Sequence, residues 1–372
     1  MLSCLDNTNK VVIPTDMLLD LMKLYKFSGK DAYYNSVFSK DLKAYRSVNV
    51  AEEVYYFSKL MELNIKDERL QLLSKKDILP KNNSEKIVLN LKKVFELILF
   101  HLNQFELYPN EITALVELMF NDVAKIKFRV ERTKEKSSLT NKKEVSNVKD
   151  YHVVIKELCE KFERLRKSKE YEITLLITNM FIDFYNTKPY LDTTEYKANE
   201  CISYLILYIL LFKYEFDAFN YKPFFKEIYE NMKTFHFVIN QSSFNWAGGY
   251  ADVTSLHKFI IERLLDCYDK VEVEKQKVTH VQNTRTSKTN DIENTILNFP
   301  NATFTKAEIQ AIHPNASPKT IERTLDRLQE EGKIESLGTG RSARWMKKFS
   351  YQAGFDYQAV EFNFEEDILG KK

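Results

Sequence analysis

Residues 305–332 read TKAEIQAIHPNASPKTIERTLDRLQEEG, and this stretch decides how the C-terminal part folds. Thr305 and Glu308 have the spacing of a capping box, in which a hydroxyl and a carboxylate satisfy each other's backbone N–H groups. The helix they open presents Ile309 and Ile312 and ends before Pro314, since proline removes a helical donor and clashes with the preceding turn. Ser317 then stands as an N-cap, and Pro318 takes the first-turn position, where a missing N–H costs nothing. Ile321, Leu325 and Leu328 recur at helical spacing as one apolar stripe. Gly332 follows as a left-handed C-cap.

Working outward, residues 291–299 place Ile292, Ile296 and Phe299 on one helix side, with Pro300 as the stop. Thr303-Phe304 reads as a short extended piece. Past Gly332, residues 334–337 and 344–346 read as two short strands joined by a Gly338-Thr339-Gly340 tip. Helix, helix, turn, helix and a glycine-tipped hairpin is the winged-helix order, assigned here to residues 291–348. Lys319, Thr320, Arg323 and Arg327 fall on the side of the third helix away from its Ile/Leu stripe. In helix-turn-helix docking that side enters the major groove, where Lys and Arg meet guanine edges and phosphates. Arg341 and Arg344 flank the hairpin tip, placed for phosphate or minor-groove contact. Duplex DNA is therefore the expected partner. Glu322, Asp326, Glu330 and Glu331 interrupt the basic face, and winged helices also serve as protein-contact modules.

The rest of the chain is mostly helical in pattern. Of 372 residues, 44% are hydrophobic and 29% charged, an ordinary globular balance. Gly 8 and Pro 8 are both low, which favours long helices with few sharp turns. The net charge of +2 announces no global field, so any nucleic-acid contact must be local. Cys4, Cys159, Cys201 and Cys267 lie far apart with no metal or redox spacing, as expected of buried thiols in a reducing cytosol. The longest largely apolar run, residues 202–212, is too short to cross a bilayer, and the start of the chain lacks a signal-peptide pattern, so a cytoplasmic location is expected.

Residues 1–80 read as an N-terminal helical segment packing on a core formed by residues 81–272. Apolar residues at helical spacing recur at Met17–Leu24, Val54–Met61, Ile87–Ile98 and Ile112–Val123. Residues 125–148 change texture: they are crowded with Lys, Glu, Ser and Thr around Phe128-Arg129-Val130, and suggest a surface hairpin. Ala198 to Phe212 is apolar almost all round and belongs in the middle of a bundle. Residues 273–290 lose their periodicity and read as a helix end followed by a linker. Residues 349–372 form an acidic-aromatic tail.

Residues 187–199, Thr-Lys-Pro-Tyr-Leu-Asp-Thr-Thr-Glu-Tyr-Lys-Ala-Asn, lie between two buried helices and resemble a worn form of the Fic family motif, His-Pro-Phe-x-Asp-Gly-Asn-Gly-Arg-x-x-Arg. Phe181–Tyr185 resembles the helix leading into that motif. Tyr229-Glu230-Asn231 and Ser242–Trp246 resemble the stretches after it, and Thr254–Leu265 the closing helix. Tyr55–Glu62 resembles the family's inhibitory segment, Ser-Ser-x-Ile-Glu-Gly, with Met61 at the position of its Glu and Glu62 one place later. A Fic domain joined to a C-terminal winged helix is itself a familiar arrangement. The resemblance implies a mainly α fold: a Fic-like helical bundle with a small β-hairpin flap, followed by a winged-helix (α+β) module.

What the resemblance implies for chemistry mostly does not carry over. The general-base His falls on Lys188, and an ordinary Lys, with a pKa of about 10.4, is protonated at neutral pH. Pro189, Tyr190 and Asp192 keep the Pro, aromatic and metal-holding acidic positions. The Gly-Asn-Gly anion cradle falls on Thr193, Thr194 and Glu195, and the two Arg positions on Tyr196 and Asn199. Asp192 with Glu195 reads as a capping pair that occupies the helix N-terminal donors a phosphate would use. The expectation is a DNA-binding regulator whose Fic-like body, without cofactor or metal, serves dimerisation, peptide binding or ligand sensing. One alternative is an enzyme using ATP and Mg to move AMP onto a protein hydroxyl through Lys188 and Asp192. Another is a scaffold whose hairpin clamps a peptide by strand addition.

Overall fold

The computed structural model describes residues 3–135, 145–191, 195–214, 216–285, 288–297, 303–314, 316–338 and 343–348. These fall into two compact units that divide between Lys277 and Val278. The first opens with a 3-10 turn, Cys4–Lys10, and continues through α1 (Thr15–Ser28), α2 (Asp31–Phe38), α3 (Leu42–Leu60), α4 (Asp67–Lys75), α5 (Asn83–His101) and α6 (Pro109–Met119). Three short strands, β1 (Lys127–Phe128), β2 (Val130–Glu135) and β3 (Val145–Asp150), precede α7 (Tyr151–Ser168) and α8 (Ile173–Thr187). Then come β4 (Tyr190–Leu191), α9 (Ala198–Tyr214), α10 (Phe224–Glu230), α11 (Met232–Ser243) and α12 (Thr254–Arg285).

Caps mark where the chain enters these helices. Asn82 accepts from the Glu85 N–H, Asp150 from His152, and Glu172 from both Thr174 and Leu175. Helix α9 is buried from Ala198 through Phe212, as its all-round apolar sequence requires. It packs on α8, and the loop that resembles the Fic motif joins these two central helices. Glu53 on α3 is fully buried and accepts the Phe224 and Phe225 N–H groups at 2.8 and 2.9 Å. Burial pushes its carboxyl up to about 8 against the pull of those donors.

The expected surface hairpin exists. β2 pairs with β3 antiparallel from Val130↔Asp150 to Glu135↔Val145, and residues 136–144 lie outside the described residues. The expected linker differs. Helix α12 runs on to Arg285, past the point where apolar periodicity ends, and α13 begins at Lys288. Salt bridges of Glu272 with Lys275 and of Glu274 with Lys277 support the helix where the apolar stripe gives out.

The second unit contains α13 (Lys288–Leu297), β5 (Thr303–Thr305), α14 (Lys306–Ile312), α15 (Pro318–Glu330), β6 (Ile334–Ser336) and β7 (Arg344–Lys347). Its strands form one antiparallel sheet in the order β5-β7-β6. The Thr305/Glu308 capping box is made in both directions, and the Ser317 hydroxyl accepts the Thr320 N–H at 3.1 Å. Gly332 sits at φ 72°, the left-handed geometry expected of it. Ile292, Ile296, Phe304, Ile309, Ile321, Leu325, Leu328 and Ile334 are buried together, with Trp345 packed against them. Among the described residues, no helix is long and apolar enough to cross a membrane. All four cysteines are buried outside any disulfide.

Candidate functional site

The amphipathic α15 turns its Ile/Leu stripe inward and leaves Lys319 and Arg323 exposed on the opposite side. Two of the four acids around them have salt-bridge partners, and Asp326 and Glu330 are exposed with none among the described residues. Glu322 pairs with Lys306 of α14 at 3.2 Å, and Glu331 with Lys333 at 2.7 Å. Arg327 reaches Glu293 of α13 at 2.5 Å and Glu331 at 3.7 Å, and Lys333 reaches the same Glu293 at 3.0 Å. These two cations hold the Glu293 carboxyl below the usual range. Arg327 thus clips α15 to α13 and stands apart from the exposed pair. Thr320 is half-buried, its hydroxyl 2.8 Å from that of Ser317 in the helix cap. Arg344 is exposed at the start of β7 beside the hairpin tip, and Arg341 lies outside the described residues. Of the six basic-face residues, Lys319, Arg323 and Arg344 are exposed, while Thr320 and Arg327 are used within the unit.

In the first unit, α8 ends at Thr187 and Lys188 takes a left-handed C-cap geometry, φ 45° and ψ 64°. Lys188 is exposed, whereas Pro189 and Tyr190 are buried. Tyr190 and Leu191 form β4, which pairs with β1 in the register Phe128↔Tyr190 and Lys127↔Leu191. The Tyr190 ring stacks on Phe128 with centroids 4.7 Å apart. The Arg129 N–H reaches Pro189 O at 2.8 Å, so alternation along the ladder turns the N–H and C=O of Tyr190 away from β1. There the carboxamide of Asn199 meets both, accepting from Tyr190 N and donating to Tyr190 O, each at 2.9 Å. One side chain from the first turn of α9 therefore stands in for the peptide group of a third strand. Asp192, Thr193 and Thr194 lie outside the described residues; Glu195 is in an exposed turn ahead of α9, and Tyr196 is half-buried beside it.

Arg129, which the sequence reading passed over, ties the base of the flap to this loop. Its guanidinium lies 4.0 Å from the Tyr151 ring centroid and donates to Thr187 O at 3.0 Å, at the carbonyl end of α8. A positive side chain at a helix C-terminus suits the exposed carbonyls there. The available signal was its place in Phe128-Arg129-Val130, between β1 and β2, where the sequence suggests a surface hairpin.

No family model matches the sequence, and no curated protein matches it. In shape it is similar to the crystal structure of a Fic family protein from Desulfovibrio desulfuricans G20, with a TM-score of 0.50 and 11% sequence identity. The match covers 92% of this chain and 98% of the other. The chain has a Fic-like fold.

Met61, in the stretch that resembles the family's inhibitory segment, is buried. Glu62, one place on, is exposed in a left-handed geometry and forms an ion pair with Lys197 at 2.8 Å. The Lys197 ammonium holds the Glu62 carboxyl below its usual range. Lys197 immediately precedes α9, so the segment after α3 and the loop before α9 are joined by charge. On α8, Asp183 is buried and accepts the Cys4 and Leu5 N–H groups at 2.7 and 3.0 Å and the Trp246 indole N–H at 2.8 Å. Burial raises its pKa, and those donors work against the rise. Asp183 anchors the start of the chain on the helix that carries the motif loop. Among the described residues, no cluster of His, Cys, Asp and Glu could hold a metal ion.

Proposed function

We propose that this protein is a DNA-binding regulator in which a catalytically inactive Fic-like body carries a winged-helix reader. The observation that carries the reading is the charge pairing around α15. Glu322 is matched by Lys306, and Glu331 by Lys333, while Lys319 and Arg323 stay exposed on the side opposite the core stripe. Two of the four acids that weaken the basic face in the sequence are thus offset locally, while Asp326 and Glu330 stay exposed. Two cations near the helix N-terminus, with Arg344 on the hairpin, suit a backbone-plus-base contact with a duplex.

The motif loop supports the second half of the proposal. A nucleotide triphosphate needs donors and cations aimed at its phosphates. The position of the family's second Arg is Asn199, and its amide is spent on the Tyr190 backbone. The base position is an exposed Lys188 instead of a neutral imidazole. Lys188 and Asn199 argue against a site for ATP with magnesium.

The test is a duplex shift assay across salt concentrations alongside a nucleotide titration on the same preparation. A salt-steep duplex affinity with no ATP binding and no transfer of label to protein is expected. Absence of salt-sensitive binding to any genomic duplex would refute the regulator reading. Label transfer by the unaltered chain, abolished by Lys188→Ala, would instead establish the enzyme reading.

A further inference from the structure

Beyond Lys348 the chain reads FSYQAGFDYQAVEFNFEEDILGKK, residues 349–372. Asp356, Glu361, Glu365, Glu366 and Asp367 place five carboxylates within twelve residues, opposed in this stretch only by Lys371 and Lys372. Phe355, Tyr357, Phe362 and Phe364 are interleaved with them. In the chain the segment follows β7, the central strand of the second unit's sheet, after Lys348.

The cations available to such a segment in that unit are few. Among the described residues, Lys306, Arg327, Lys333 and Lys348 each have a carboxylate within salt-bridge distance. Lys319, Arg323 and Arg344 show none. We propose that residues 355–367 dock on the Lys319/Arg323 face of α15 as a built-in competitor of a polyanion. Carboxylates spaced along an extended chain present negative charge as a phosphate backbone does, and aromatic rings between them meet guanidinium faces.

Reach does not limit the contact. The acids begin eight residues beyond Lys348, and eight residues span at most about 26–29 Å. A unit of some 60 residues has a radius of gyration of roughly 10 Å and a path half-way round its surface of roughly 40 Å, which the last acid, nineteen residues beyond Lys348, covers with a reach of about 63–68 Å. Tethering also holds the segment at an effective concentration in the millimolar range, where weak ion pairing suffices for occupancy. The regulatory meaning of the contact rests on the DNA-binding reading, but the contact itself does not.

The experiment joins carboxylates to amines in the full-length protein with a zero-length carbodiimide and maps the products by peptide mass spectrometry. The Lys306–Glu322 pair at 3.2 Å is the internal control. A product linking Lys319 to Glu361, Glu365, Glu366 or Asp367, suppressed at about 0.5 M salt, is expected. Formation of the control product while the tail carboxylates react only with lysines elsewhere, or with none, overturns the proposal. In parallel, the full chain carrying D356N, E361Q, E365Q, E366Q and D367N should bind duplex about three- to tenfold more tightly at roughly 50 mM salt, with the gain vanishing at high salt. Unchanged affinity at low salt overturns the competition. A Lys319 crosslink in a protein that binds no duplex, with either tail, would refute the DNA reading and leave the docking in place.

Discussion

Replacing Asn199 tests whether the motif loop is held as structure or kept ready for chemistry. Its carboxamide makes two hydrogen bonds to one residue, Tyr190, at 2.9 Å each, in a part-buried setting. A net 1 kcal/mol per bond gives about 2 kcal/mol, and leaving the Tyr190 N–H short of a partner adds up to about 1 kcal/mol. Asn199→Ala should therefore cost about 2–3 kcal/mol. Asn199→Asp keeps the acceptor for Tyr190 N–H but sets a second carboxylate oxygen against Tyr190 C=O. That repulsion raises the introduced carboxyl's pKa in the folded state. The variant should therefore be weak at neutral pH and regain stability as pH falls and its O–H can donate. Urea unfolding followed by tryptophan fluorescence is the assay, in a Trp345→Phe background so that Trp246 alone reports on the first unit. A loss under about 0.5 kcal/mol for Asn199→Ala, or no recovery of Asn199→Asp toward low pH, would refute the reasoning. The same bonds mean that restoring Arg at this position, as a rebuilt motif requires, unties the strand it is meant to serve.

Other perturbations follow from the same geometry. Glu53 binds a proton in the fold up to about pH 8, but only to about 4.5 when unfolded. Its contribution is fully present below about 4.5 and is lost as pH rises through 8, an interval worth up to roughly 5 kcal/mol at 1.36 kcal/mol per pH unit. The Glu53→Gln variant should lose that slope between pH 5 and 8 in thermal melts, and a slope equal to the wild type's would contradict the assignment. Arg323→Ala should weaken a specific duplex by about 1–3 kcal/mol, whereas Arg327→Ala should chiefly lower the melting temperature of the second unit. Equal affinity losses for the two would place Arg327 at the interface. Glu62→Gln should break the ion pair with Lys197 without conferring nucleotide binding; ATP affinity appearing in that variant would show a masked site.

Much of the second unit was legible because its signals are local. Thr305 with Glu308, Ser317 with Pro318, and Gly332 each act within one turn of helix, and each adopts the geometry its residue type requires. The all-round apolar Ala198–Phe212 likewise had only one place to go. The end of α12 was not legible, because ion pairs of the Glu272–Lys275 kind leave no hydrophobic period to read.

By itself the sequence determined the mainly helical class, the caps and turns of the C-terminal unit, the basic residues on α15, and the absence of His, Gly and Arg from residues 187–199. Each of these depends on residue identity and on spacings of a few positions. The tertiary structure alone decided which charges are spent. Arg327 meets Glu293, Lys306 meets Glu322, Glu62 meets Lys197, and the Asn199 amide meets the Tyr190 backbone. Of these, Arg327 with Glu293 and Glu62 with Lys197 join residues 34 and 135 positions apart. A charged or amide side chain carries no mark of its partner in its own neighbourhood. Only packing brings the two within the 3–4 Å at which a hydrogen bond or ion pair forms.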